Sequence, residues 1–142
     1  MSIEEAVRRG LETATSEAYR AEHLEEFEQI VRWRLADSPS LSGYYEQMRA
    51  GARFDVSREV GNITSPTLVI HGAEDRYVPV ANAAVLAEAI PDAKLRVLEG
   101  AGHLIFIERF ADVNREVVTF LKKPRKKRSH RPPAKRKPKE LL

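Results

Sequence analysis

Residues 66–103 constrain this chain more than any other stretch, because they place two short apolar runs on either side of a helix-forming segment. Residues 67–70 and 95–98 are β-branched or aliphatic runs of strand length, and each leads into a glycine-containing loop. Residues 80–90 between them are rich in Ala and Leu and long enough for a helix. Strand, helix and strand in that order make a βαβ unit, which predicts two parallel strands in one sheet with a right-handed crossover. Parallel strands end at the same edge, where α/β proteins place their ligands. Each loop brings one proton-handling side chain to that edge, Asp75 from the first and His103 from the second.

Those two residue types suit acid–base work. An imidazole with a pKa near ~6.5 takes a proton from a nucleophile and returns it to a leaving group, while a carboxylate fixes its tautomer and stabilises the imidazolium. A plainer reading stands beside this one. An Asp in a turn commonly accepts from its own backbone, and a His after Gly-x-Gly is often just a loop residue.

The run Pro66-Thr67-Leu68-Val69-Ile70-His71-Gly72-Ala73-Glu74-Asp75, then Val78-Pro79, then Gly100-Ala101-Gly102-His103 and Glu108, resembles the last third of an α/β-hydrolase fold protein. The likeness covers roughly residues 48–121 in family terms. It implies a partial α/β-hydrolase fold, a small parallel sheet with helices, preceded by a helical cap segment. It also implies that Asp75 is the acid and His103 the base of a nucleophile–His–acid triad that hydrolyses an ester, lactone or carbon–carbon bond. No nicotinamide, flavin or metal is implied, and with no cysteine or ligand-spaced His/Asp cluster the sequence gives a metal site little support. His71 reads as structural packing at the strand end, and Glu108 as a residue that orients the loop or caps a helix.

The nucleophile is the missing part. Relatives carry it on a tight strand-to-helix turn, usually Gly-x-Ser-x-Gly, upstream of acid and base. Ser2, Ser16, Ser38, Ser40, Ser42, Ser57 and Ser65 precede Asp75, none in that pattern, and there is no cysteine. The expectation is therefore a chain lacking the nucleophile half of the fold and inactive alone, completed by a separate chain or a homo-oligomer. The alternative is a non-catalytic remnant or interaction module. A two-stranded parallel sheet leaves an unpaired edge and uncovered apolar faces, so the isolated chain is expected to be marginally stable, oligomeric or aggregation-prone.

Upstream, Ser2 and Glu5 have the spacing of a capping box, predicting a short helix that Gly10 ends. A longer helix is predicted over 16–35, with Leu24, Phe27, Ile30, Val31 and Leu35 as its apolar stripe and Trp33 off it. A turn over 37–40 leads to a third helix over 41–53 carrying Tyr44, Tyr45 and Met48. A final helix over 110–122 should pack Phe110, Val113, Val117, Phe120 and Leu121 against the sheet. The chain thus divides into a cap-like segment over 1–60, a βαβα segment over 61–121 and a basic, proline-containing tail over 122–142.

Charge follows the same division. Eleven of the 24 Lys and Arg lie from Lys122 onward with one of the 21 acids, which leaves 13 basic against 20 acidic residues, a net −7. The tail has no apolar partner for its charges and is expected to be disordered. It reads as a solvated, nonspecific extension in preference to a nucleic-acid contact, since no base-reading module or aromatic platform accompanies it. His23 on a charged helix and His130 in the tail suggest no ligand. The lack of cysteine fits a cytoplasmic protein, and no apolar run approaches the ~18 residues of a membrane span.

Overall fold

A computed structural model of the chain describes residues 2–37 and 40–122. Residues 38 and 39 of the expected turn, and the expected tail from residue 123 on, lie outside the described residues.

The first helix, α1 (Ile3–Ala14), begins on the expected capping box. The Ser2 Oγ accepts from Glu5 N at 3.1 Å, and the Glu5 carboxylate accepts from Ser2 N at 2.6 Å. It does not stop at Gly10. Running on to Ala14 buries Leu11 and Ala14, and that burial outweighs the modest cost of one glycine inside a helix.

The single helix expected over 16–35 is two. Ser16 caps α2 (Glu17–Glu22) by accepting from Tyr19 N, and the chain leaves helical geometry at His23 before α3 (Leu24–Ala36). The His23 ring stacks on Tyr19 with centroids 5.0 Å apart, and its Nδ1 lies 3.3 Å from Glu26. With the break there, Tyr19 from α2 and Phe27 and Val31 from α3 all enter one buried cluster with Leu11. Val7, Ile30, Leu35, Leu104 and Ile107 pack around it, so the core joins the first helices to the residues just past His103.

Helix α4 (Leu41–Arg53) starts where Ser40 accepts from Gly43 N, and Tyr44, Tyr45 and Met48 stand exposed on it. A 3₁₀ turn over Val60–Asn62 leads into β1 (Thr67–Gly72). Next come α5 (Val80–Ala89) and β2 (Ala93–Leu98), and the strands pair in parallel from Thr67 opposite Ala93 to Gly72 opposite Leu98. Asp92 turns the chain from α5 into β2 at φ 60°, a left-handed conformation that Asp tolerates better than most residues.

Past β2 the sequence reading misses one element, the single turn α6 (Ile105–Glu108), before α7 (Phe110–Lys122). Helix α7 lies against β1, yet none of its residues is fully buried. The molecule is mixed α/β with a two-stranded parallel sheet among the described residues. None of their helices is long and apolar enough to cross a membrane.

Candidate functional site

The two loops meet because β1 ends in a residue without a side chain. A Cβ on Gly72 would lie 2.2 Å from the Gly102 carbonyl oxygen, 2.4 Å from that of Ala101 and 2.8 Å from Ile105 Cγ2. Only glycine lets the strand end touch the loop after β2 this closely. The contact is sealed by Ala73 N donating to Leu98 O at 3.0 Å and Glu74 N donating to Ala101 O at 2.9 Å, with Ala101 fully buried. Gly100, at φ 66°, makes the turn that sends the chain back over this junction.

Asp75 uses its two oxygens differently. Its Oδ1 accepts from the backbone N–H groups of Tyr77 and Val78, both at 2.8 Å, which is the Asx-type turn of the plainer reading. Its Oδ2 lies 2.9 Å from His103 Nδ1. The turn and the imidazole contact are therefore compatible, since one oxygen builds the loop and the other faces the ring. The Asp75 side chain is 4% exposed. Burial pushes its carboxyl up, but the Val78 N–H, His103 and the Tyr77 N–H together outweigh it and hold the pKa below the usual carboxylate value.

An ionised carboxylate only accepts, so Nδ1 of His103 carries the proton of that bond and Nε2 of the neutral ring keeps a free lone pair. Among the described residues nothing hydrogen-bonds to Nε2, and the side chain is 43% exposed. The Tyr77 ring meets the imidazole edge-on, centroids 5.4 Å apart, and its hydroxyl donates to Gly10 O at 3.0 Å.

The N-terminal helices grip the His103 loop on both sides. Leu104 N donates to Ala14 O at 3.0 Å. On the other side Glu108 accepts from Gly102 N at 3.0 Å and from Ser16 N at 2.8 Å, a clasp between residues 92 positions apart. Glu108 thus orients the loop, and it holds the N-cap residue of α2 by its backbone as well. His71 is less passive than packing alone. Its Nε2 lies 2.9 Å from Val78 O and 3.3 Å from Asp75 Oδ2.

The sequence offers no signal for the parts played by Ala14, Ser16 and Tyr77, which arise only from contacts across the fold. His23 stays with Tyr19 and Glu26, and His130 lies outside the described residues. Among the described residues no group of three or more His, Cys, Asp or Glu side chains could hold a metal ion. A cleft of about 470 Å³ between α3 and α6, lined by Tyr19, Glu26, Ile30, Trp33 and Ile107 among others, includes neither Asp75 nor His103.

Comparison with known proteins gives a consistent picture. Residues 17–110 match the sequence profile of the alpha/beta hydrolase fold. The chain is 31% identical over 90 residues to a non-heme haloperoxidase of Rhodococcus erythropolis, covering 63% of this chain and 33% of that protein. It is 35% identical over 89 residues to a 2-hydroxy-6-oxononadienedioate/2-hydroxy-6-oxononatrienedioate hydrolase of Cupriavidus pinatubonensis, covering 61% of this chain and 31% of that one. The crystal structure of a bromoperoxidase from Bacillus anthracis superposes with a TM-score of 0.73 at 23% identity, over 84% of this chain and 44% of the other. The chain thus spans 33% and 31% of the length of these two curated relatives.

Proposed function

Since the chain belongs to the α/β-hydrolase fold family, we propose that Asp75 and His103 are the acid and base of a nucleophile–His–acid triad that hydrolyses an ester, lactone or carbon–carbon bond. One observation carries this reading. His103 Nδ1 is held 2.9 Å from a buried carboxylate oxygen while Nε2 is left open on a partly exposed ring. That is the protonation pattern a general base needs. Nε2 takes the nucleophile's proton as its oxygen attacks the substrate, Asp75 stabilises the imidazolium, and the same proton passes to the leaving group as its bond breaks. Water repeats the sequence to release the second product. The hydrolase name of the Cupriavidus relative points to the same reaction type.

In this reading the nucleophile comes from a further polypeptide segment or a separate chain. Ser2, Ser16 and Ser40 serve as helix caps, and among the described residues no serine hydroxyl is hydrogen-bonded to His103. The same observation favours a second reading, a non-catalytic interaction module that keeps the acid and base without a nucleophile.

Hydrolysis of p-nitrophenyl acetate and butyrate by the purified chain separates the two. In the first reading the chain carries the base without its nucleophile, so release depends on a nucleophile that accompanies it, and the two substitutions report whether the base takes part. Release above buffer that His103→Ala abolishes and Asp75→Asn lowers at least about tenfold supports the first reading. Release above buffer that is indifferent to both substitutions supports the module, and release no faster than buffer is the outcome both readings give for a chain without its nucleophile.

A further inference from the structure

We infer that His71 is a positioning residue for the Asp75–His103 pair, pinning the acid-bearing loop so that Asp75 Oδ2 points at His103. The inference rests on the reading of Asp75 and His103 as acid and base. Val78 O can only accept, so His71 Nε2, 2.9 Å away, must carry a proton. The same N–H lies 3.3 Å from Asp75 Oδ2, the oxygen that also faces His103 at 2.9 Å. The ring nitrogen thus donates to the carbonyl three residues beyond Asp75 while lying within ionic range of the carboxylate itself.

The placement makes it effective. His71 sits one residue before the end of β1, where backbone pairing with Val97 in β2 fixes its position. The loop it bonds to lies outside the sheet and is otherwise shaped by the two contacts to Asp75 Oδ1. Those two bonds hold the carboxylate by one oxygen only. The other oxygen faces His103 Nδ1 at 2.9 Å, and His71 Nε2, 3.3 Å from it and bonded to Val78 O, flanks it from the strand end. His71 is 16% exposed at its side chain, so water competes little for this donor.

The test uses the full 142-residue chain, ¹⁵N-labelled, and follows the hydrogen-bonded Nδ1–H of His103 by proton NMR. Glutamine places an amide N–H three bonds from Cβ, as far out as Nε2 of the imidazole, whereas asparagine stops one bond short. His71→Gln is expected to keep the His103 Nδ1–H resonance and His71→Asn to lose it through exchange with water, with amide signals of α1 and α3 unchanged in both. If Asn unfolds the chain, the Gln variant decides: retention supports the inference, and loss in a folded protein overturns it. Retention in both variants, or loss in both with the fold intact, also overturns it. The measurement needs no activity. Absence of a hydrogen-bonded Nδ1–H in the unaltered chain would instead remove the acid–base reading itself.

Discussion

Gly72 is the residue on which the approach of the two loops depends, and its replacement is the sharpest test at that scale. The oxygens of Ala101 and Gly102 that a new methyl would meet belong to backbone, which cannot rotate away as a side chain would. Gly72→Ala is expected to destabilise the chain by more than about 2 kcal/mol, read from the urea midpoint, and to separate His103 from Asp75. A midpoint like that of the unaltered chain would mean the loop yields at little cost. Asp75 gives a second prediction, in pH. Its folded pKa lies below the unfolded value, so its contribution is complete above the unfolded pKa and is lost as pH falls through the folded one. Acid titration of stability should therefore be steeper in the unaltered chain than in Asp75→Asn, with the difference confined to the carboxylate range and below. Parallel curves would contradict it. Asp75 is legible in the sequence as a loop position, whereas Gly72, placed there in the loop, closes β1 opposite Leu98. Their reasons are not legible, because the absence of room for a Cβ at Gly72 and the division of labour between the Asp75 oxygens exist only once the strands are paired.

Among elements, the sequence speaks clearly where the signal is local. The capping box at Ser2, the starts of β1 and α7 and the extents of α4 and α5 follow from spacing and propensity within a few residues. It misleads where tertiary burial decides. Gly10 does not end α1 because Leu11 and Ala14 have a core to enter, and His23 interrupts a periodic stripe whose continuity is otherwise convincing. The one-turn α6 carries too few residues for a period, yet it supplies Ile107 to the core and ends on Glu108. The Glu108 clasp is where elements far apart in sequence become one unit. Hydrogen bonds to a charged group are worth about 1.5–3 kcal/mol each. Removing the carboxylate leaves Ser16 N and Gly102 N without it. Glu108→Ala should then cost about 2–4 kcal/mol and increase amide exchange at Gly102 and Ser16 together. Exchange that rises at one of them alone would show that the helices and the His103 loop are not coupled through this side chain.

On the scale of the whole molecule, the apolar surface is unevenly covered. The cluster around Phe27 and Val31 is closed, whereas α7 leaves Phe110 64% and Leu121 66% exposed, and Val85, Leu86 and Phe106 are also open. Purely parallel sheets are normally buried on both faces, and exposed apolar area of this extent favours association. Sedimentation velocity at micromolar concentration is expected to show species larger than the monomer, diminished by Leu121→Lys and Phe110→Lys together. A monodisperse monomer with a cooperative, reversible melt would contradict this. The fold and the Asp75–His103 pairing do not depend on that outcome, since the clasp and the loop junction lie within the one chain. The central claim is that this chain arranges an imidazole as a base, and the tautomer of His103 tests it most directly. Long-range ¹H–¹⁵N NMR of the neutral ring should find the proton on Nδ1 in the unaltered chain and mainly on Nε2 in Asp75→Ala. A proton on Nε2 in the unaltered chain would contradict the account.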